Sequence, residues 1–467
     1  MKNFWTKIIS SPFVKFAVTL VVFIVIFLFH VYRGNGIINP LLMTPKPFLA
    51  GIIKNITSDQ KERNLELEEM FQIVATTPNL WGYRTENMKN NSTLDRIYEQ
   101  RKWISRISQT EFIKRSKPKQ ITVYLEPGDA YVYTNNSVSC PFAPEFEGKC
   151  SATFVALEWR EMFRKPVNPY LYKYNHVDAV VGIRNGFWGE DEIFPEQNLP
   201  SGTAQIFYQI ESPSHTGSAR LGQTGAWLAS YWRGSDIPVL LYELMEKTGG
   251  GQDGVYEQLP NYEEHLGVRK LVAGLISNCY FVKNDRLGYI HQLEKYMRID
   301  LYGRCGNLTC PENCTTFLQQ NYKFYLAFEN CNCEDYVTEK FFMTAILNGI
   351  VPVVMGPSRQ SYESFAPPSS FIHVDDFASP KELAQYLEIL DKNDTLYQNY
   401  FAWRRKPGPG WIISHRSGQD FFCRVCGQLY YADFVPPPPW PTRETRFSDV
   451  NPCSHTANIN MTNENNM

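Results

Sequence analysis

Net charge is nearly absent from this 467-residue sequence, because 46 lysine and arginine residues stand against 48 aspartate and glutamate residues. No basic patch interleaved with aromatic residues occurs, which argues against nucleic acid as a partner. No G-x-G-x-x-G motif follows a predicted strand, so a nicotinamide-dependent oxidoreductase is disfavoured. The cysteines also lack a clean paired C-x-x-C set, which disfavours structural zinc.

A long hydrophobic run stands near the N-terminus, where residues 16–32 contain no aspartate, glutamate, lysine or arginine. Seventeen residues are close to the shortest helix that spans a bilayer. Lys2, Lys7 and Lys15 precede the run, and this charge bias predicts a cytosolic tail over residues 1–15 and a luminal remainder. A cleaved signal peptide is the alternative, but no A-x-A-like site follows the run. We therefore expect a transmembrane signal-anchor and a type II membrane protein.

Cysteines and glycosylation sequons agree with a luminal chain, since all 11 cysteines and all eight sequons follow residue 32. In an oxidising compartment such cysteines form disulfides, and their odd number leaves at least one without a partner in the chain. The sequons are at Asn55, Asn90, Asn91, Asn135, Asn307, Asn313, Asn393 and Asn460.

The polar segment 33–117 predicts a stem, although residues 62–72 and 94–114 have the composition of helices. Three later runs predict a first α/β layer in a domain over residues 118–262. These predicted strands are 121–125, 177–181 and 205–210. A second domain is predicted over residues 263–435, with strands at 270–277 and 299–302 and a helix at 287–297, before a tail over residues 436–467.

Residues 324–356 read as strand, loop, helix and strand. Such a unit implies parallel strands, and in open α/β sheets ligands bind beyond the carboxyl ends of the strands. Glu329 and Asn330 stand directly after the first strand, at this edge. Glu334-Asp335 is expected to cap the helix, which should run from about Tyr336 to Asn348-Gly349.

The predicted helix carries Tyr336, Glu339 and Lys340 at i, i+3 and i+4, so the three side chains should share one face. An ammonium beside a helix N-terminus is suited to a diphosphate. A solvated Glu–Lys pair on an ordinary core helix is the alternative interpretation, and the spacing does not decide between the two.

Two further residues are candidates for a site. Glu211 follows the predicted strand 205–210, and Arg286 stands before the predicted helix 287–297, where a guanidinium can meet a phosphate. Their alternatives are a turn residue and a surface arginine. His215 is more simply a satisfied histidine than a catalytic group, and Asp375-Asp376 more simply a helix start than a metal site.

Taken together, the motifs resemble the α1,3-fucosyltransferases of the secretory pathway over roughly residues 121–426. The signature of Phe-Glu-Asn followed by Asp-Tyr-Val-Thr-Glu-Lys is present as Phe328-Glu329-Asn330 and Asp335 to Lys340. Other similar patterns, in the family's order, are Glu211-Ser-Pro-Ser-His-Thr216, Arg286 with Tyr289 and Leu293, and Gly303-Arg-Cys-Gly306.

This resemblance implies an inverting glycosyltransferase with two Rossmann-like domains (GT-B), in which the first domain binds a glycoprotein glycan acceptor and the second binds GDP-fucose. It implies that Glu211 is the general base. The implied donor-site residues are Arg286, Asn330, Tyr336, Glu339 and Lys340. No cofactor is expected to be required, so Mn²⁺ should be dispensable and at most a stimulator. The implied location is the Golgi membrane.

The chain departs from the family where Gly225-Ala-Trp-Leu228 and Tyr231-Trp-Arg-Gly-Ser-Asp-Ile237 keep only part of the family pattern. This departure puts the acceptor preference in doubt rather than the donor chemistry. It also motivates an alternative, a catalytically silent lectin-like or scaffolding relative. Cys423-x-x-Cys426 resembles a C-terminal motif of enzymes that modify the N-glycan core.

Overall fold

The computed structural model describes fifteen stretches of the chain: 58–82, 92–125, 138, 140, 142–156, 177–183, 202–215, 220–240, 242–246, 255–258, 269–280, 282–405, 411–415, 418–443 and 445–454. The predicted anchor at residues 16–32 and the predicted domain boundary at residue 262 lie outside them. Within these stretches, no helix is long and apolar enough to cross a membrane. The chain divides into two units, Met1–Leu65 and Glu66–Met467. Apart from the first residues of the helix Ser58–Ala75, the features below belong to the second unit.

A six-stranded parallel sheet forms the first layer. In chain order its strands are Lys119–Leu125, Cys150–Ala156, Ala179–Ile183, Ala204–Gln209, Trp227–Ser230 and Ile237–Pro238. In space the second strand lies outside the first, and the third to sixth follow on the other side. All pairings are parallel. This is a doubly wound order, whose ligand crevice lies where the strand order reverses.

A second parallel sheet has five strands. As in the first sheet, its second strand lies outside the first, and the remaining strands follow on the other side. In chain order the five strands are Lys270–Leu275, Ile299–Tyr302, Tyr322–Phe328, Val351–Met355 and Ile372–His373. The strand order reverses between the first and third of them, because the second and third strands pair with opposite edges of the first. The predicted α/β class with parallel sheets is therefore confirmed, and Val351–Met355 and Ile299–Tyr302 have their predicted bounds.

Helices cover the sheets and connect their strands. Among the described residues the α-helices are Ser58–Ala75, Thr93–Ser108, Glu111–Arg115, Leu221–Thr224, Arg286–Leu293, Cys314–Asn321, Arg359–Glu363, Pro380–Lys392, Asp394–Gln398, Gly418–Ala432 and Phe447–Val450. Short 3₁₀ turns are Pro144–Phe146, Pro368–Ser370, Val374–Asp376 and Asn399–Arg405. Two small antiparallel sheets join Tyr242–Glu246, Trp411–His415 and Val255–Gln258, and Asn332–Cys333 with Cys453–Ser454.

The helical composition of the predicted stem is confirmed, and part of it belongs to the packed core. Ser92 caps the helix Thr93–Ser108 with a reciprocal capping box to Asp95. Trp103 and Ile107 of this helix are buried with Val123 of the first sheet. Burial of such side chains is the main stabilising term in folding.

The helix Gly418–Ala432 also packs on the first sheet, although the sequence prediction assigned residues 263–435 to the second domain. Phe422 and Val425 are buried in the same apolar cluster as Ile121. Cys423 and Cys426 are bonded to Cys140 and Cys150, respectively. The chain therefore returns from the second sheet to the first, and the predicted domain boundaries remain predictions.

The helix of the central β-loop-α-β unit differs from its prediction. It spans Lys340–Leu347 with π-type hydrogen bonds, and it begins at Lys340 rather than near Tyr336. Its end at Asn348-Gly349 is as predicted, since Gly349 has φ +65° and its amide bonds to the carbonyl of Ile346 at 3.2 Å. A glycine adopts this left-handed conformation without the steric cost that a Cβ brings.

Candidate functional site

Arg286 lies at the point where the strand order of the second sheet reverses. Its Nη1 donates to the carbonyl of Phe328 at 2.8 Å, and its Nη2 donates to the carbonyl of Asn278 at 2.9 Å. These carbonyls lie at or just beyond the carboxyl ends of the two strands that flank the switch point, where ligands bind in such sheets. Arg286 begins its helix as predicted, but it is 2% exposed, so the surface-arginine alternative is wrong.

Burial lowers the pKa of the Arg286 guanidinium, and the nearby carboxylate of Glu329 acts in the opposite direction. Arginine begins from so high a pKa that the group remains a cation. Because both of its terminal nitrogens already donate to carbonyls, Arg286 is a fixed positive charge in the wall of the crevice.

Glu329 is the next residue after the strand Tyr322–Phe328, and its side chain is completely buried. The amide and hydroxyl of Thr338 donate to its Oε1 at 2.8 and 2.9 Å. The Lys340 ammonium lies 3.1 Å from its Oε2. Burial raises the pKa of Glu329, while the charge of Lys340 opposes that rise. A buried carboxylate persists only with such partners.

Lys340 is the cation that the sequence placed beside the helix N-terminus. Its Nζ contacts Glu329, the Thr338 hydroxyl at 2.9 Å and the Glu339 carboxylate at 3.1 Å. Burial alone would lower the pKa of Lys340, but the two carboxylates raise it above its ordinary value. Desolvation of its carboxylate opposes ionisation of Glu339, but the charge and hydrogen bond of Lys340 lower the pKa of Glu339 below its ordinary value. Both side chains are therefore charged, and Glu339 is exposed.

Glu211 joins the two sheets at this edge. It follows the strand Ala204–Gln209, and its Oε1 accepts hydrogen bonds from the Tyr336 hydroxyl at 2.5 Å and from the Asn330 amide at 3.3 Å. Its own side chain also accepts the amide of Ser212 at 2.7 Å. The Glu211 side chain is 30% exposed, so a ligand can reach the carboxylate.

Tyr336 is held as a neutral donor. Burial, followed by the charge of Glu211, raises the pKa of the Tyr336 phenol well above its ordinary value. The structure thus brings Tyr336 and Asn330 of the second sheet to Glu211 of the first, and it places Lys340 beside Glu339. These five residues and Arg286 are the site residues that the sequence predicted; a single common site for all six, and their individual roles, remain predictions.

The predicted common helical face is wrong, because Tyr336 precedes the helix that begins at Lys340. The predicted capping by Glu334-Asp335 is also wrong. Asp335 is 1% exposed and has φ +63°, and its carboxylate pairs with Arg233 rather than with the helix. A four-residue loop therefore separates the acidic pair from the helix, and local spacing could not reveal this tertiary pairing.

His215 lies in a small buried cluster beside Glu211. Its Nδ1 is 2.7 Å from the Ser212 hydroxyl, 3.7 Å from the Cys331 thiol and 4.0 Å from Glu211 Oε1. Burial would raise the pKa of Cys331, but contacts with His215, Ser212 and Ser214 lower it. The interpretation of His215 as a satisfied buried histidine agrees with this geometry.

Cysteine pairing gives five disulfides, and Cys331 is left with a free buried thiol. The pairs are Cys140–Cys423, Cys150–Cys426, Cys279–Cys305, Cys310–Cys314 and Cys333–Cys453. The expected odd cysteine is thus confirmed. Cys331 lies with Cys333 and Cys453 in a three-sulfur group, but two members form a disulfide and offer no thiolates.

Asp375-Asp376 was predicted to start a helix, and this is wrong: the pair ends a 3₁₀ turn over Val374–Asp376, and the next α-helix, Pro380–Lys392, is capped by Ser379. The Asp375 amide donates to Nδ1 of His373 at 3.1 Å, and Asp376 pairs with the Arg359 guanidinium. Asp376 is therefore engaged in an ion pair on the surface.

Two contributions to the site were missed in the sequence. Thr338 fixes Glu329 with both its amide and its hydroxyl, and Arg233 holds Asp335 from 102 residues away. Thr338 carried a signal, since it lies inside the Asp-Tyr-Val-Thr-Glu-Lys motif. Arg233 carried a weaker signal: the segment Tyr231 to Ile237 matches the family pattern only in part, and Arg233 is one of the matching residues.

Comparison with known proteins shows the family of this chain. The family model "Glycosyltransferase family 10 (fucosyltransferase) C-term" matches residues 267–434, which contain the whole second sheet. Alpha-(1,3)-fucosyltransferase 7 of Bos taurus is 36% identical over 253 residues, and the match covers 54% of this chain and 69% of that protein. The chain belongs to the α1,3-fucosyltransferase family.

A second relative, Glycoprotein 3-alpha-L-fucosyltransferase A of Drosophila melanogaster, is 41% identical to this chain over 249 residues. That match covers 52% of this chain, and it spans about half of the relative, 47% of its length. A crystal structure of alpha1,3-fucosyltransferase with GDP-fucose aligns at 18% identity with a TM-score of 0.39, covering 76% of this chain and 96% of that one. The fold assignment here rests on the strand order of the two sheets.

Proposed function

We propose that this protein transfers L-fucose from GDP-fucose, with inversion and in α1,3 linkage, to a GlcNAc residue in the core or an antenna of a glycoprotein N-glycan. One observation carries the proposal. The accessible carboxylate of Glu211, at the edge of one sheet, contacts Tyr336 and Asn330 of the signature motif at the edge of the other. Family membership and the names of the relatives support fucose transfer to a glycoprotein.

In the proposed reaction Glu211 accepts the proton of the acceptor hydroxyl as its oxygen attacks C1 of fucose. The C1–O bond to the diphosphate breaks on the opposite face, and GDP leaves with the bonding electrons. A single displacement inverts the anomeric centre and needs no covalent intermediate.

The leaving diphosphate gains negative charge, and positive charge near it lowers the barrier. Lys340 and Arg286 supply two cations at this edge, and Glu339 stands beside Lys340 to face the fucose ring. Lys340 contacts three oxygen acceptors of its own, so donor binding exchanges some of those contacts for phosphate oxygens. Because these cations are present, we propose that Mn²⁺ is dispensable.

We also propose that the protein is a single-pass type II Golgi membrane protein, with residues 16–32 as its anchor and its catalytic part in the lumen. Five disulfides are suited to an oxidising compartment, where such bonds form and persist.

The test is to incubate the full-length, detergent-solubilised protein with GDP-fucose and a panel of N-glycan acceptors, with and without EDTA. We expect fucosylated GlcNAc, an α-anomeric proton in the NMR spectrum of the product, and the same rate in EDTA. GDP binding without transfer to any acceptor would contradict the proposal and favour the silent relative. Loss of transfer in EDTA, restored by Mn²⁺, would contradict the metal-independent mechanism alone.

A further inference from the structure

Two three-residue segments contact each other side chain by side chain at the edge of the site. One follows the strand Trp227–Ser230 of the first sheet, and the other precedes the helix Lys340–Leu347 of the second. The contacts pair Tyr231 with Tyr336, Trp232 with Glu334, and Arg233 with Asp335. The first segment belongs to the pattern whose departure from the family casts doubt on acceptor preference, yet its contacts are with the donor motif.

The Arg233–Asp335 pair is the most extensive of these contacts. Arg233 Nε lies 2.8 and 3.1 Å from the two carboxylate oxygens, and Nη2 lies 2.5 Å from Oδ1. The Arg233 amide donates to Oδ2 at 2.9 Å, and the hydroxyl of Thr93 donates to the same oxygen at 3.3 Å. A guanidinium that engages both oxygens fixes orientation as well as distance.

The carboxylate at the centre of this pair is fully buried, and the Arg233 side chain is 14% exposed. Asp335 adopts φ +63°, a left-handed conformation that is uncommon for a residue with a side chain. Such a conformation persists where surrounding contacts fix it, and Arg233 supplies most of them. The pair therefore sets the direction in which the chain leaves Asp335.

The next residue along the chain is Tyr336, whose hydroxyl bonds to Glu211. The Tyr231 ring lies 5.0 Å from the Tyr336 ring, and the Trp232 indole donates to Glu334 at 3.0 Å. All three contacts thus act on the loop that presents Tyr336, and they come from the first sheet.

We infer that Arg233 is a positioning residue for the donor site, which holds the loop 334–336 so that Tyr336 meets Glu211 and Lys340 begins its helix beside the diphosphate. The inference rests on the proposed function. It assigns the segment Tyr231 to Arg233 to donor binding, so changes there alter affinity for the nucleotide.

The test compares Arg233→Gln with Arg101→Gln by calorimetric titration of GDP and by thermal unfolding. Arg101 forms an arginine–aspartate pair with Asp420 at 2.7 Å, between the helices Thr93–Ser108 and Gly418–Ala432. Its two side chains are 22% and 10% exposed, so this pair is also largely buried. We expect GDP binding to weaken at least about tenfold in Arg233→Gln, a loss of about 1.4 kcal/mol. Arg101→Gln should lower the unfolding temperature and leave GDP affinity unchanged.

Two further variants separate positioning from stability. Arg233→Gln/Asp335→Asn removes both charges, so it avoids an unpaired buried carboxylate and should unfold at a higher temperature than Arg233→Gln. Its GDP affinity should still be below that of the wild type. Arg233→Lys keeps the charge without the two-oxygen geometry, and we expect an intermediate affinity.

Wild-type GDP affinity in both Arg233→Gln and the double variant would overturn the inference while leaving the proposed function intact. Failure of the wild type itself to bind GDP would overturn the proposed function, and the inference with it.

Discussion

Glu211 and Glu329 follow parallel strands of different sheets, and both accept hydrogen bonds from the segment between Tyr336 and Lys340. Their surroundings differ. Glu211 is 30% exposed and accepts from neutral groups, whereas Glu329 is completely buried and is paired with the Lys340 ammonium. An accessible carboxylate can exchange a proton with a ligand. A buried carboxylate that is already bonded to Thr338 and Lys340 instead fixes those groups in place.

The largest effect is expected at Glu211, the more exposed of these two carboxylates. In Glu211→Gln the side chain keeps its size but cannot accept a proton, so we expect transfer to fall by about 10²–10⁴-fold. GDP affinity should be unchanged, because the amide oxygen still accepts from Tyr336. Steady-state kinetics and calorimetry measure the two quantities.

The matched control for this variant is Glu363→Gln, which removes an exposed carboxylate that pairs with Arg359 at 2.9 Å. It should transfer fucose at the wild-type rate. A wild-type rate in Glu211→Gln would show that Glu211 is not the base.

Removing the cation beside the buried carboxylate of Glu329 should lower the stability of the protein. Lys340→Met leaves Glu329 in the interior without its cation, and we expect about 3–5 kcal/mol of destabilisation in urea unfolding at neutral pH. Since burial raises the pKa of Glu329, the folded state binds a proton more readily than the unfolded state. The deficit should therefore shrink as the pH falls.

Adding Glu329→Gln to Lys340→Met should recover part of the lost stability, because no buried charge then remains. The control is Lys392→Met, which breaks an exposed pair with Glu388 and should change stability by less than about 1 kcal/mol. Equal stabilities of Lys340→Met and Lys392→Met would contradict the role assigned to Glu329.

A smaller effect is expected at Asp300, a nearly buried carboxylate of the second sheet with two cationic partners. Burial opposes its ionisation, but hydrogen bonds from Lys270, Tyr322 and Arg298 lower the pKa of Asp300 to about 2. The stabilisation from this carboxylate is complete above its ordinary pKa, and it is lost as the pH falls towards 2.

Asp300→Asn should therefore lose on the order of 2 kcal/mol at neutral pH and show a flatter dependence of unfolding free energy on pH between about 4 and 2. Urea unfolding at several pH values measures both. If Asp300→Asn shows the same dependence of unfolding free energy on pH as the wild type in this range, ionised Asp300 does not stabilise the folded state.

Sequence periodicity predicted the strands well, because an apolar run such as Val351–Met355 is buried along its whole length. It could not predict where the helix after Tyr336 begins, since Asp335 is bonded to a residue 102 positions earlier. The same limit applied to Cys423 and Cys426, whose partners are 283 and 276 residues away. Spacing indicates local structure, whereas these features depend on tertiary contacts.

The candidate site was predictable to the extent that motifs marked strand ends. Strand ends marked Glu211 and Asn330, a helix start marked Arg286, and helical spacing marked Tyr336, Glu339 and Lys340, while their implied roles came from the family resemblance. The structure brings Glu211 to Asn330 and Tyr336. The burial of Glu329 and Arg286 was not predictable, because a charged residue in a motif gives no sign of which neighbours exclude water from it.

The most direct test of the central claim is rescue of Glu211→Ala by formate. Because the Glu211 side chain is partly exposed, a small carboxylate should enter the space that the variant leaves and accept the acceptor proton. We expect transfer by Glu211→Ala to rise with formate concentration and not with sodium chloride at the same ionic strength. Transfer that stays at the unrescued level, in a variant that binds GDP as the wild type does, would contradict the assignment of Glu211 as the general base.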